Sequence, residues 1–459
     1  MLKYDLSKFK KEFTEYTELR VQENRTTNIS LVNGNVMGNS TSAKSGVSAR
    51  VNKNGNWGFA SNPVISDEAI EKVILAATEN ATFLGTKQSK GKKEFDSRAA
   101  QAEKSFYSDK PKSETKAKIA FLKKIDEYIV SKYPDLTSRT LIISGLEMEK
   151  NVLTSDGSNS YSMMPKFHIY AILNKAVDGE NYEIFKTFGD RGQFEDVFKS
   201  PEDLFSGIDE AYRHLIDKTN GVKANAGLKD VILDAKLAGI LAHEAIGHTT
   251  EADLVQGGSV AGPLLNKEIG SPLITLVDFA HTYNGKTCPV PVYIDDEGVE
   301  AKDQVVIEKG ILKGYMHNKE SAKHFGHGLT GNARGYDFSD EPLIRMRNTA
   351  ILPGTSKLSD MIASIEDGYY LVQSGNGQAD ATSEFMFAVT LGYEIKNGKI
   401  GKAIKDTTIS GIAVDVLKSV TMVSDDMDWD CTGMCGKKQP MPVGMGGLAI
   451  KCKVNIGGK

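Results

Sequence analysis

The segment His243-Glu244-Ala-Ile-Gly-His248 places two imidazoles and one carboxylate close together in the chain. It follows an apolar run, 237–242, that predicts a buried helix. Burying polar groups without partners costs on the order of a few kcal/mol each, so such a cluster calls for a ligand, and a divalent metal is the simplest one. A Glu directly after the first His is the layout of metallopeptidase helices, in which the Glu acts on the attacking water. We therefore interpret His243 and His248 as metal ligands and Glu244 as the catalytic base.

The spacing of the two histidines constrains this interpretation. Residues i and i+5 of an α-helix lie about 140° apart around its axis, too far for a single metal ion. Two local geometries would bring them together. The helix could widen into a π-type turn, which Gly247 would ease, or it could end near Gly247 so that His248 turns back from a loop. The competing interpretation is that His243 and His248 are unrelated surface or core residues.

A catalytic zinc site needs a third protein ligand, and the chain has four cysteines. Cys452 alternates with apolar residues in 448–456, which predicts a core thiol on a strand. Cys288 precedes a proline in a loop without a nearby partner. Cys431 and Cys435 share one loop, where they could form a disulfide, although no secretory signal argues for an oxidising compartment. Position alone does not choose the ligand among them.

Six segments make the chain resemble the TldD/PmbA family of metallopeptidases, and its TldD branch in particular. The resemblance runs over most of the chain, and six spaced segments in the right order are far more specific than one HExxxH motif. The segments are HEAIGHTTEAD at 243–253, YIDDEG at 293–298, IEKGILKGYMH at 307–317, RMRNT at 345–349, GNGQAD at 375–380 and TGMCGK at 432–437.

The resemblance implies an active site and a cofactor. The family holds its metal with the two motif histidines and a cysteine of the C-terminal Gly-x-Cys-Gly segment. These correspond to His243, His248 and Cys435, with Glu244 as general base and one Zn²⁺ per active site. The PmbA branch lacks the metal residues, whereas all four are present here, so the resemblance implies an active zinc metallopeptidase. The alternative is a non-catalytic, PmbA-like partner subunit or a regulator of a peptidase complex.

The resemblance also implies a quaternary structure and a form of substrate. A dimer around an internal cavity would admit unfolded or extended peptides, and the dimer would be a homodimer or a heterodimer with a PmbA-like paralogue. TldD-like chains often have a basic, Gly-containing stretch after the second His, and the residues that follow Asp253 here are not basic. Glu251 and Asp253 match the family pattern, but their roles and the substrate preference stay open.

Four further residues are candidates for substrate binding. Arg345, which alternates with Arg347, could grip a peptide carboxylate or backbone, or it could form a structural ion pair. His317 follows a predicted strand and could approach the site, or it could be an ordinary surface histidine. Gly375 and Gly377 lie in a segment that fits a strand edge in contact with substrate. The acidic triplet 295–297 could bind a cation or a substrate amine, but a solvated turn is the favoured interpretation.

Composition excludes several classes of function. The net charge is −4 and the pI about 6.1, so the chain carries no electrostatic footprint for nucleic acid. The lysines of 87–93 are interpreted as a solvated loop. No apolar run is long enough to span a bilayer, and the N-terminal residues lack an apolar signal core. Four cysteines suit a reducing compartment, and a cytoplasmic location is expected.

The pattern of elements predicts an α+β fold of two domains. Residues 1–222 form an N-terminal domain with antiparallel hairpins, whose Asn33-Gly34 and Asn54-Gly55 are type I′ turn signals. Residues 228–459 form a strand-rich C-terminal domain that carries the HExxxH helix and the cysteine loop. Helices are predicted after Ser66, over 113–132 and near 201–218, 357–367 and 410–423, and an amphipathic helix is indicated by Phe9, Phe13 and Tyr16.

Overall fold

The first half of the chain is organised around one sheet of long strands. The computed structural model describes residues 2–87, 91 and 94–457. The strands follow the order β3-β2-β1-β5-β6-β4, and β7 pairs with the same edge of β6 as β4 but further along the strand. All neighbours are antiparallel except β4 and β6. The strands are β1 (Tyr16–Val32), β2 (Asn35–Lys53), β3 (Asn56–Asn62), β4 (Gln101–Ser105), β5 (Ser138–Thr154), β6 (Asn159–Val177) and β7 (Glu180–Arg191).

The predicted hairpin turns are confirmed. Asn33 and Gly34 have φ of 49° and 78°, and Asn54 and Gly55 have φ of 52° and 78°. A type I′ turn requires positive φ at both central residues, and Asn and Gly adopt this conformation at low steric cost. These two turns therefore define the pairing of β1 with β2 and of β2 with β3.

Helices cover the hydrophobic parts of this sheet. Ser66 caps the first helix by accepting a hydrogen bond from the Ala69 amide at 3.1 Å, as predicted. The helix predicted from Phe9 to Tyr16 is wrong: residues 7–12 form a short 3-10 helix and Tyr16 already begins β1. Most of the 87–93 lysine cluster lies outside the described residues. The helices are α1 (Asp67–Lys87), α2 (Thr115–Lys132), α3 (Phe194–Val197) and α4 (Phe205–Thr219).

The second half is richer in strands, which confirms the α+β class. The strands are β8 (Gly227–Leu233), β9 (Leu276–Phe279), β10 (Thr282–Tyr283), β11 (Lys286–Thr287), β12 (Gln304–Glu308), β13 (Ile311–Leu312), β14 (Ala333–Arg334), β15 (Leu343–Ile344), β16 (Asn348–Ile351), β17 (Asp367–Ala379), β18 (Glu384–Lys396), β19 (Lys399–Ala403), β20 (Thr407–Ile412), β21 (Met422–Val423), β22 (Asp428–Asp430), β23 (Met434–Cys435), β24 (Met441–Pro442), β25 (Gly444–Gly447) and β26 (Ile450–Gly457). The helices are α5 (Ala235–Leu241), α6 (Ala252–Gln256), α7 (Lys319–Phe325), α8 (Leu358–Ala363) and α9 (Ala413–Lys418).

Five of these strands form a closed sheet, in which the last strand pairs with the first. β17 pairs with β8, β8 with β26, β26 with β20, β20 with β18, and β18 with β17 again. A second sheet has the order β13-β12-β9-β16-β25-β22. Helix α5 packs closely on β25, since a Cβ on Gly447 would lie 1.9 Å from the Ala235 carbonyl oxygen. Helix α5 is thereby held against the sheet, and the segment with His243, Glu244 and His248 follows it directly in the chain.

Buried ion pairs join the two halves. Asp296 accepts from Arg20 at 3.1 Å and from Lys150 at 2.7 Å, and Glu297 accepts from Arg50 at 2.6 Å. The prediction of a solvated turn at 295–297 is wrong, because all three side chains are buried. The three carboxylates already accept hydrogen bonds from other residues of the protein. The boundary at 222–228 stays a prediction.

Within the part of the chain that the structure describes, no helix combines the length and the apolar character needed to cross a membrane.

Candidate metal centre

A π-helical turn resolves the spacing of the two histidines. Helix α5 runs directly into a π-helix over Ala242–Gly247, and a 3-10 turn begins at His248. The wider turn brings i and i+5 onto one side, so that the His243 and His248 rings lie 5.2 Å apart between centroids. Gly247 is required by close packing, because a Cβ there would lie 2.1 Å from the Met346 sulfur.

Cys435 reaches the two histidines from a distant part of the chain. Its Sγ lies 3.3 Å from His248 Nε2, and ligand atoms of His243, His248 and Cys435 lie within 4.8 Å of one another. Cys435 belongs to β23, which pairs with β24 in a small hairpin. Arg345 stabilises this hairpin by donating hydrogen bonds to the carbonyl oxygens of Cys435 and Gln439, each at 2.8 Å.

The electrostatics of the cluster favour the form of cysteine that metals bind. Burial raises the pKa of Cys435, but its interactions with the nearby His243 and His248 rings outweigh burial and lower the pKa to about 3. Burial lowers the pKa of His248, whereas hydrogen bonds with Cys435 and Glu251 raise it to about 10. Both shifts favour the charged forms of Cys435 and His248, and the thiolate is the form of cysteine that binds a metal.

The three residues fit Zn²⁺. Both ring nitrogens of His243 are buried and lack a hydrogen-bond partner among the described residues, so the ring is unsatisfied without a ligand. Tetrahedral zinc with bonds of about 2.0–2.1 Å to N and 2.3 Å to S places such ligand atoms about 3.5 Å apart, close to the 3.3 Å between His248 and Cys435. Three protein ligands leave the fourth position open, as in catalytic sites.

Glu244 lies beside the two histidines. Its carboxylate oxygens lie 3.6 Å from His248 Nε2 and 4.0 Å from His243 Nε2, and its side chain is 29% exposed. His243, by contrast, is 1% exposed. The carboxylate is therefore near the ligands and accessible, which a general base requires.

A second layer of residues orients His248. Its Nδ1 lies 2.8 Å from the fully buried Glu251 carboxylate, which in turn lies 3.1 Å from Lys437 Nζ. Lys437 also donates to Asp253 at 2.9 Å and to the Ile344 carbonyl. This arrangement accounts for the two acidic residues after His248. The i, i+3 spacing of His248 and Glu251 could have indicated their contact from sequence, but the part played by Lys437 could not be read there.

The predicted substrate-binding residues are placed differently. Arg345 is fully buried under the Cys435 hairpin, and Arg347 forms a buried ion pair with Asp278 at 2.8 Å. His317 is buried rather than on the surface, with its Nδ1 3.1 Å from Ser321 Oγ. Among the described residues, none of these three side chains forms a hydrogen bond with the side chains of His243, Glu244, His248 or Cys435. A substrate role for Arg345 and His317 stays a prediction.

Gly375 and Gly377 lie on β17 where it pairs irregularly with β18. A Cβ on Gly377 would lie 2.1 Å from the Phe387 ring, so packing alone requires glycine there. A Cβ on Gly375 would lie 3.2 Å from Thr390 Cγ2, a tight but less severe contact. Their predicted role at a substrate-contacting edge also stays a prediction.

Two family models match the chain. The one described as PmbA/TldA metallopeptidase C-terminal domain matches residues 226–458, and the one described as PmbA/TldA metallopeptidase domain 1 matches residues 17–81. The chain is 32% identical over 420 residues to a protein of Saccharolobus solfataricus named zinc metalloprotease TldD homolog, and this alignment covers 90% of each.

Two further comparisons agree in family and fold. The chain is 39% identical over 254 residues to a Haemophilus influenzae protein named metalloprotease TldD homolog, an alignment covering 54% of this chain and 52%, about half, of that relative's length. The crystal structure of TldE from Thermococcus kodakarensis matches with a TM-score of 0.74 at 20% identity, over 99% of both chains, which shows the fold. The chain belongs to the PmbA/TldD family of metallopeptidases.

Proposed function

We propose that this protein is a zinc-dependent peptidase that cleaves unfolded or extended peptides. The observation that carries the proposal is the convergence of His243, His248 and Cys435 within 4.8 Å, next to the accessible carboxylate of Glu244. All four residues are of types that occur at hydrolytic zinc sites. The name of the Saccharolobus solfataricus relative, a zinc metalloprotease, supports the choice of metal and reaction.

Each residue has a distinct task in this proposal. When bound, Zn²⁺ supplies a Lewis acid that lowers the pKa of water toward ~7 and stabilises the negative charge that develops on the scissile carbonyl. Glu244 takes a proton from the attacking water and then delivers it to the leaving amine. Because the Cys435 thiolate donates more charge than a third imidazole would, slow and selective processing is expected rather than bulk digestion.

The form of the substrate follows from access to the site. His243 and Cys435 are buried, and only Glu244 and the edge of His248 reach the surface. A folded domain cannot present its backbone to such a recessed site, whereas an extended peptide can. We also propose a working unit of two such chains, as a homodimer or with a PmbA-like paralogue, because the family resemblance implies a dimer. The non-catalytic alternative is not favoured, because the complete ligand set and base would then have no use.

The test compares two single-atom changes in the purified, zinc-loaded protein. Glu244→Gln should abolish peptide cleavage and retain zinc, whereas Glu71→Gln, an exposed change on α1, should alter neither. One small disulfide-bonded protein is supplied as substrate in its native form and after reduction and alkylation, and only the unfolded form should be cleaved. Wild-type turnover by Glu244→Gln, or equal digestion of both forms, would contradict the proposal.

A further inference from the structure

A polar cavity lies between the N-terminal sheet and the loop that precedes Cys435. Its volume is about 210 Å³. One wall is a face of the sheet and includes Lys166 and His168 of β6; the opposite wall includes Tyr336, Thr432 and Met434. Met434 is the neighbour of the ligand Cys435, so the cavity adjoins the metal centre.

Lys166 is a buried cation without a direct ion pair, and the nearby negative charge of Asp430 offsets only part of the cost of its burial. The side chain is 6% exposed. Among the described residues, it donates a hydrogen bond only to the Gly433 carbonyl oxygen, at 3.3 Å. No carboxylate oxygen lies within the 4.0 Å of an ion pair among the residues that the structure describes. Burial lowers the pKa of Lys166 to about 8, so the amine is still charged at neutral pH. A buried charge is normally paired, and two of the three ammonium donors are free for a ligand.

His168 adds a second unsatisfied polar atom to the same wall. It stands two residues from Lys166 on β6 and therefore on the same face of the sheet. Its ring is 3% exposed, and its Nε2 has no hydrogen-bond partner among the described residues. Burial, together with the charge of Lys166, lowers the pKa of His168 to about 3, so the ring is neutral. The ring also forms a hydrogen bond with the Cys431 backbone, which uses the single proton of the neutral imidazole, so the ring faces the cavity only as an acceptor.

We propose that this cavity is a subsite that binds a carboxylate of the peptide substrate, with Lys166 as the counter-charge. The inference rests on the proposed peptidase function and specifies its substrate. Lys166 contacts Gly433, two residues before Cys435, so the cavity lies beside the candidate metal centre. The carboxylate is therefore expected near the scissile bond. It is supplied either by an Asp or Glu side chain or by a free C-terminus.

The experiment uses one unstructured peptide with both ends blocked, in versions that carry a single Glu, Gln or Lys at successive positions. A further version has no acidic residue and a free C-terminal carboxylate. The zinc-loaded enzyme should prefer Glu over Gln at one position by at least about tenfold in kcat/KM, as expected for a charge-assisted hydrogen bond in a buried site. Preference for the free C-terminus instead would assign the carboxylate to the chain end.

Variants separate this subsite from the chemistry. Lys166→Met should remove the preference, and Lys166→Arg should keep it. Zinc content is measured for each variant, because Lys166 also contacts the cysteine loop. Binding of the Glu and Gln peptides to Glu244→Gln, followed by fluorescence anisotropy, gives the same comparison without turnover.

The outcomes distinguish the two proposals. If no peptide is cleaved by the zinc-loaded wild type, the proposed function fails, while the anisotropy comparison still tests the subsite. If peptides are cleaved but Glu, Gln and the free C-terminus are treated alike, the subsite is refuted and the peptidase stands. A Glu preference that survives in zinc-retaining Lys166→Met would likewise overturn it.

Discussion

Replacing Glu251 should weaken zinc binding although Glu251 is not a ligand. Its carboxylate is fully buried and lies 2.8 Å from His248 Nδ1 and 3.1 Å from Lys437 Nζ. A carboxylate in this position holds the imidazole in the tautomer and orientation in which Nε2 faces the metal. Loss of such a contact lowers metal affinity about 10- to 100-fold, which corresponds to about 1.4–2.8 kcal/mol of binding free energy.

The structure orders the variants within this range. Glu251→Ala removes both contacts and leaves Lys437 with only one carboxylate partner, Asp253, so we expect a loss near 100-fold (~2.8 kcal/mol). Glu251→Gln keeps an oxygen that can accept from Nδ1 but loses the charge, so we expect a loss near tenfold (~1.4 kcal/mol). The measurement is competition between the metal-free protein and a chromophoric zinc chelator.

Glu244→Gln serves as the matched control, because it changes a neighbouring carboxylate that is not a ligand and should leave zinc affinity as in the wild type. Circular dichroism confirms that each variant is folded. A folded Glu251→Ala variant that binds zinc as tightly as the wild type would refute the prediction that Glu251 positions His248 for metal binding.

Three other predictions concern the ligand, the cofactor and the scaffold. Cys435→Ala should lose zinc on gel filtration and metal analysis, while Cys431→Ala in the same loop should keep it; equal retention would remove Cys435 from the site. EDTA should suppress peptide cleavage and lower the melting temperature, and added Zn²⁺ should restore both, since a ligand at 100 times its Kd stabilises the folded state by about 2.7 kcal/mol; a melting temperature indifferent to chelation would contradict this. Arg347→Met should lower the free energy of unfolding by about 3–5 kcal/mol in a denaturant titration, because it leaves the buried Asp278 carboxylate without its cation at 2.8 Å; an unchanged midpoint would show that Asp278 is compensated elsewhere.

Local features of the fold could be predicted well because their causes are local. Asn-Gly pairs at 33–34 and 54–55 predict type I′ turns, since the required positive φ is a property of those residues themselves. Ser66 predicts a helix start because its side chain caps an amide three residues later. The helix predicted at Phe9–Tyr16 failed because the same apolar spacing also suits a short 3-10 turn that leads into a strand.

One part of the candidate site could likewise be predicted from neighbouring residues, and another part could not. The pattern from His243 to His248 indicated a metal and a base, because residues close in the chain are necessarily close in space. It left open whether a π-type turn or a loop brings the histidines together, and the packing of Gly247 against Met346 accompanies the π-type turn in the structure. The choice of Cys435 over three other cysteines depended on the family resemblance, not on composition or spacing.

Long-range contacts had no counterpart in the sequence pattern. Cys435 and His248 are 187 residues apart, and they meet where the β23 hairpin, which accepts hydrogen bonds from Arg345, lies against the π-turn. Lys166 and His168 belong to a strand of the other half of the chain, whose pattern of residues gives no chemical signal. The amino-acid sequence by itself therefore determined the turns, the principal helices and the histidine–glutamate motif, all of which depend on neighbouring residues. The third ligand's position, the layer behind His248 and the adjoining cavity arise from the packing of distant segments, because only burial of those segments together removes water and brings their polar groups within hydrogen-bonding distance.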